Sequence, residues 1–267
     1  MSCYIKNIIA NDDIHSDIKT LIPEAAIRRR MSRILRMAVS TAVECCNIKG
    51  IKDLDCIITA TGYGCLADSE KFLRNVIENN EELLNPTPFI QSTFNTVGGQ
   101  IALLSQNHCE NITYVNRSHS FEDALLDSYI QICCNNKKNI LLGVFDEITE
   151  SSNIILERIG IFRNGLRNGE GAIFMEVTSQ YTEGCKIQIK NIEFSNKILS
   201  RNECLSRYST SNNSRLIYNE FTEYGIYPTV SARIFYRVVK NIHKSEEVII
   251  CNNYLGMNSS IIVVKGV

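Results

Sequence analysis

Three side chains that could attack a carbonyl or move a proton, Ser118, His119 and Ser120, stand together in one short stretch. Ahead of them runs Ile112-Thr113-Tyr114-Val115, a β-type segment that stops at Asn116-Arg117. Behind them, Ser120 opens a helix, and Asp123 three residues on is placed to complete a capping box. A hydroxyl in a sharp strand-to-helix turn lies at the positive end of the helix, where a nucleophile is favoured. Two groups could serve: Ser118, or Ser120 with His119. Adjacent residues on a turn seldom face each other, so His119 is a poor base for Ser118. The remaining histidines, His15, His108 and His243, form no metal-ligand spacing with cysteine. Eleven cysteines contain no CxxC pair and sit mostly in apolar runs, which fits buried free thiols in a reducing cytosol. No metal and no cofactor is expected.

The elements that must hold this turn can be read around it. The helix after Ser120 is apolar on most sides, through Ala124, Leu125, Leu126, Tyr129, Ile130, Ile132, Cys133 and Cys134. Such a helix is normally buried in a larger fold. The unbroken run Ile140-Leu141-Leu142-Gly143-Val144-Phe145 suits a strand covered on both faces, as in a parallel sheet. Together they predict a βαβ unit around a buried central helix, hence an α/β fold.

Bulk properties narrow the function. The 267 residues suffice for one large α/β domain. A net charge of −1 argues against nucleic-acid binding through bulk charge. No run of about 18 apolar residues is present, so no transmembrane helix is expected. The first residues, MSCYIKNIIANDD, lack the apolar segment and cleavage site of a signal peptide, so a cytoplasmic location is expected.

Other segments read as follows. Residues 1–10 form a first strand. A helix starts at Pro23 and runs to about Cys46, with Ile27, Met31, Ile34, Leu35, Ala38, Ala42 and Cys45 as its apolar face. Arg28, Arg29, Arg30, Arg33 and Arg36 cover the rest, as a solvated basic face or a docking patch for an acidic partner. A strand, Cys56–Ala60, ends at Gly62-Tyr63-Gly64. The GxGxxG spacing is absent, and Asp68 and Glu70 would repel a pyrophosphate, so no dinucleotide site is expected. Residues 85–89 are an extended loop, and a helix opens on Gly98-Gly99, where another backbone or subunit can approach. Residues 165–171 are turn-rich and lead into a strand at 172–177; residues 186–195 alternate as a strand. Residues 196–215 read as a polar surface excursion. A helix at 229–243 and strands at 248–251 and 261–264 close the chain.

Five of these stretches, in order, resemble the β-ketoacyl synthases of the thiolase-like fold. ITATGYGCLADSEKFLRNVIENN resembles their early strand, glycine turn and helix, and NPTPFIQSTFNTVGGQIALLSQ their dimer-interface segment. NITYVNRSHSFEDALLDS resembles their nucleophile elbow. FRNGLRNGEGAIFMEV and CNNYLGMNSSIIVV are similar to the glycine-rich turns and strands ending the two halves.

The resemblance implies a layered α/β/α/β/α fold in one domain spanning 1–267. It has two related halves, about 1–178 and a shortened 179–267. In that family the elbow carries a cysteine thiolate helped by two histidines. Here Ser118 holds the nucleophile position and Tyr227 stands near that of the first histidine. The second histidine's segment is largely missing, and His243 reads as a surface residue. The catalytic set is therefore degenerate at Ser118 and Tyr227, as in chain-length factors, and the short form is similar to subunits of aryl-polyene and flexirubin-type synthesis. A catalytic ketosynthase subunit in a heterodimer, or a second copy in a homodimer, and an acyl carrier protein are the implied partners. Gln91, Thr93, Phe94, Asn95 and Thr96 are the expected tunnel and interface residues. Arg29, Arg30 and Arg33 are the expected carrier-docking residues. The alternatives are an active condensing or acyl-transfer enzyme, and a scaffold protein of the same fold.

Overall fold

A computed structural model of the chain describes residues 2–162, 165–210, 214–219, 223–253 and 258–267. Strand β1 (Cys3–Ala10) is followed by short helices α1 (Ile18–Leu21) and α2 (Ala25–Arg30), then the long α3 (Arg33–Lys52). The single helix expected from Pro23 is thus two, because Met31 and Ser32 adopt extended backbone between them. Helix α3 also outruns the expected end at Cys46, past a kink at Asn47, whose φ is +50°. Strand β2 (Cys56–Ala60) leads to α4 (Leu66–Glu78), α5 (Pro86–Ser92) and α6 (Thr96–Ser105). The expected loop at 85–89 is the start of α5: Asn85 caps it through Thr87 N, and Pro86 fits the first turn, where no amide donor is needed.

Next come β3 (Glu110–Tyr114), α7 (Ser120–Cys133), β4 (Asn139–Asp146), α8 (Glu150–Arg158) and β5 (Gly171–Thr178). The shorter half holds β6 (Ile187–Ser195), α9 (Arg201–Tyr208), β7 (Ser214–Tyr218), α10 (Val230–Asn241), β8 (Glu247–Asn252) and β9 (Ser259–Gly266). The polar stretch expected to be an excursion instead forms α9. Ser200 and Glu203 cap it reciprocally, and Cys204 and Tyr208 supply a buried face that the many Ser and Asn residues conceal in sequence.

The strands form one continuous order, β3-β2-β4-β5-β1-β6-β9-β8-β7. Strands β3, β2 and β4 run parallel, and β5 is antiparallel to β4 and β1. The second half repeats this plan. β7 and β8 are parallel, and β9 is antiparallel to β8 and β6. Among the described residues it has four strands against five, with no counterpart of β3.

Side-chain alternation shows the layers. Ile140, Leu142 and Val144 of β4 face the largest core cluster, while Leu141 and Phe145 face a second one with α3 and α6. In β8, Val248 and Ile250 face the same largest cluster, and Ile249 and Cys251 pack with α9. The shared cluster holds Phe121 of α7 and Phe235 of α10, whose rings meet edge-on at 5.4 Å. The order is therefore α3/α6, first sheet, α7/α10, second sheet, α9, the five-layered α/β/α/β/α fold with a shortened second half. Strands with both faces covered must be apolar without alternation, which is what β4 and β8 show. Helix α7 is not buried all round: Ser128, Gln131 and Ile132 are buried in its last turns, but Ile130, and Cys134 just after the helix, are exposed.

Candidate functional site

The turn between β3 and α7 is tight. Arg117 sits at φ +47°, a left-handed conformation costing a non-glycine residue on the order of 1 kcal/mol. A 3₁₀ turn, Arg117–His119, then enters α7. The Ser120 hydroxyl accepts from Asn116 N and donates to Arg117 O, both at 2.8 Å. The Asp123 carboxylate accepts from Asn116 Nδ2 at 2.8 Å. The expected Ser120–Asp123 capping box is therefore absent, because Ser120 is already helical and both side chains are used to close the turn.

Ser118 and His119 are buried, and among the described residues the Ser118 hydroxyl has no hydrogen-bond partner. His119 turns away from it. Its Nε2 lies 2.5 Å from Asn258 Oδ1, its ring stands edge-on to Phe194 at 5.6 Å, and its Nδ1 is buried without a partner. Among the described residues neither serine has a base within hydrogen-bond reach. Ser120 is fully buried and holds backbone groups.

The chemistry-bearing residues that sequence reasoning missed lie just beneath. Glu122, on the first turn of α7, is completely buried. Its Oε1 accepts from Asn252 Nδ2 at 2.8 Å and Ser260 Oγ at 3.0 Å, and its Oε2 is unpartnered. Burial pushes its carboxyl up, with Asn252 and His119 pulling it back. Asp146, at the end of β4, is equally buried. It accepts from Thr61 Oγ1, Gly62 N, Tyr63 N, Thr229 N and Thr229 Oγ1, all within 3.1 Å. Burial raises its carboxyl, and the Tyr63 and Gly62 amides and the Thr229 and Thr61 hydroxyls oppose that rise.

The two networks are related by the internal repeat. Asp146 at the end of β4 holds the start of α10, and Asn252 at the end of β8 holds Glu122 and the Ser118 carbonyl at the start of α7. Each half ties down the other's central helix. The signal was in the sequence: a polar pair, Asp146-Glu147 or Asn252-Asn253, directly follows each buried strand.

Tyr227 makes no hydrogen bond to Ser118 or His119 among the described residues. Its ring packs on Gly169 in a small cluster with Ile226 and Val230, and burial raises its hydroxyl further above the ordinary value. Next to it, Pro228 presses on Gly62, where an added Cβ would lie 2.1 Å from the proline ring and 3.3 Å from Arg117 O. The starts of α7 and α10 thus meet across the Gly62 turn. His243 is exposed past the end of α10.

The expected tunnel segment lies on the surface between α5 and α6. Phe94 is 47% exposed and covers Gly64, whose φ is +68°. Thr93 and Thr96 hydroxyls meet at 2.7 Å, Gln91 donates to Arg30 O, and Asn95 is the exposed residue before α6. Gly98 lets Asn111 of β3 approach, and nothing stands within 4 Å of a Cβ on Gly99. The three arginines expected to dock a carrier line three different grooves. Arg29 lines a groove with Lys19 and Arg36, Arg30 one with Gln91 and Leu103, and Arg33 one with Lys71 and Arg74. Arg33 is also bound in a two-pronged pair to Glu170.

Among the described residues no three His, Cys, Asp or Glu side chains gather as metal ligands, and no helix is long and apolar enough to cross a membrane. Parts of two quoted stretches, 163–164 and 254–257, lie outside the described residues.

Residues 7–153 match the model of the β-ketoacyl synthase N-terminal domain. No curated protein matches the sequence. Among solved structures, the chain is similar to the ishigamide ketosynthase/chain length factor, at TM-score 0.78 and 11% identity over 100% of both chains. A β-ketoacyl synthase from Burkholderia phymatum matches at 0.71 and 11%, over 100% of this chain and 99% of that one. A ketosynthase in complex with its chain length factor from Xenorhabdus doucetiae matches at 0.60 and 11%, over 99% of both. At such identities these likenesses show the fold.

Proposed function

Because the chain belongs to the β-ketoacyl synthase family, we propose that it acts as a chain-length factor, a subunit that does no condensation itself and sets product length for a catalytic ketosynthase. The observation that carries this is the state of the elbow. Ser118 stands where the family needs a thiolate, and among the described residues no base reaches its hydroxyl. A serine hydroxyl is a poor nucleophile without one. Tyr227 cannot substitute for imidazole, since burial moves it away from neutrality. Structural neighbours described as ketosynthase with chain length factor support the same reading.

In this proposal residues 1–267 work as one domain, which the core shared by both halves suits. The partner is a ketosynthase docked at the β3 edge, in polyketide-type or aryl-polyene-type elongation on an acyl carrier protein. Arg30, exposed and without a carboxylate partner among the described residues, is the better carrier contact; Arg33 is committed to Glu170. A cytoplasmic site of action agrees with eleven free thiols.

The test is to incubate the pure protein with malonyl- and acyl-carrier protein, alone and with candidate ketosynthases. Alone it should give no condensation. With its partner it should change product length. Condensation by the protein alone, abolished in Ser118→Ala, would overturn the proposal, and an unchanged product spectrum in a stable complex would make it a scaffold.

A further inference from the structure

The run Arg28-Arg29-Arg30 is not absorbed by the elbow or the tunnel segment. Helix α2 carries all three, and the break at Met31–Ser32 redirects the chain before α3 brings in Arg36. The result is a groove of about 250 Å³ lined by Ile18, Lys19, Ala25, Arg28, Arg29 and Arg36. Four cations line it and no carboxylate does. Arg28 donates to the Ile22 and Pro23 carbonyls, which fixes its guanidinium at the groove wall.

Four arginines outside the groove are paired with carboxylates. Arg33 meets Glu170, Arg215 meets Glu246, Arg233 meets Asp12 and Arg237 meets Glu223. Among the described residues none of Lys19, Arg28, Arg29 or Arg36 has a carboxylate partner. In a protein of net charge −1 this is a local concentration of unneutralised positive charge. Four cations so placed repel one another until a counter-anion occupies the groove. Guanidinium groups bind phosphate oxygens in two-pronged fashion, and a single phosphate engages only part of such a set.

We propose that this groove binds a small molecule bearing a diphosphate, with Arg29, Arg36 and Lys19 on the phosphate oxygens and Arg28 as the fixed wall. The space fits a diphosphate head and leaves the rest of the molecule over Ile18 and Ala25. The groove lies in the outer helical layer, whereas Ser118 starts the central helix, so this site does not depend on the elbow's function.

The experiment is isothermal titration of the full chain with pyrophosphate and with orthophosphate at 50 and 300 mM NaCl. Pyrophosphate should bind at one site, at least tenfold tighter than orthophosphate, and weaken as salt rises. Arg29→Gln/Arg36→Gln should lose at least tenfold in affinity. Arg215→Gln, a paired arginine elsewhere, should bind like the wild type. If the double variant does not fold, as judged by circular dichroism, Lys19→Gln serves instead and should lose severalfold. No saturable pyrophosphate binding by the wild type, or binding that is unaltered in the groove variants, overturns the proposal. So does retention of an acidic carrier protein by the groove that pyrophosphate fails to displace.

Discussion

At the scale of single residues, the site is defined less by Ser118 than by Glu122. A carboxyl with one oxygen unpartnered, completely buried at the start of the central helix, holds its proton more tightly folded than unfolded. Above the ordinary value of 4.5, the unfolded chain has released a proton that the folded chain still binds. Stability contributed by this group therefore falls as pH rises, from 4.5 up to the raised native value, with a slope of up to about 1.4 kcal/mol per pH unit. Glu122→Gln keeps an acceptor for Asn252 and Ser260 and removes the titration. Urea unfolding at pH 4.5 and pH 8 should show the variant gaining on the wild type as pH increases. A wild-type-like pH profile in Glu122→Gln would mean that the carboxyl is ionised in the fold.

At the scale of elements, the two central helices are held by the glycine turn after β2. Gly62 lies between Pro228 and the Arg117 carbonyl, so Gly62→Ala forces the starts of α10 and α7 apart. We expect a loss of about 1–3 kcal/mol in denaturant unfolding. Gly99→Ala, with open space around it, is the control and should be neutral or stabilising by up to about 1 kcal/mol. Under the proposed function, the segment between α5 and α6 bears on product length. In the complex with a ketosynthase, Phe94→Ala should release products longer by a few methylenes, each contributing about 0.8 kcal/mol to holding the longer chain. Its ring also covers Gly64, so unchanged product lengths from an intact complex would leave Phe94 as a clamp on that turn.

At the scale of the molecule, β3 is the outermost strand of the first sheet, and among the described residues nothing pairs with its outer edge. Val115 just beyond it and Ile130 on α7 are exposed apolar residues. An open edge with apolar neighbours invites another chain. Under the proposed heterodimer, the interface buries more than about 2,000 Å². Val115→Asp with Ile130→Asp should abolish co-elution with the ketosynthase while moving the unfolding free energy of the separate chain by less than about 0.5 kcal/mol. Co-elution that survives both changes would place the interface on another face.

The sequence by itself determined the elements whose signal is local. The apolar runs of β2, β4, β8 and β9 and the turn at 116–120 were legible because burial on both faces and strand-to-helix geometry constrain residue types within a few positions. The order of five short stretches was enough for the family. Tertiary structure alone decided the rest. Helix α9 was hidden because its two buried side chains matter only against β8 and β9. The Ser120–Asp123 cap gave way to Asn116, a partner brought close by the 3₁₀ turn. Arg29, Arg30 and Arg33, close together in sequence, line three grooves: Arg29 and Arg30 leave α2 in different directions, and the break at Met31 carries Arg33 into α3. Above all, the links from Asp146 to Thr229 and from Asn252 to Glu122 join residues 83 and 130 positions apart. No local pattern encodes such a pair, since each partner is selected by the packing of the opposite half.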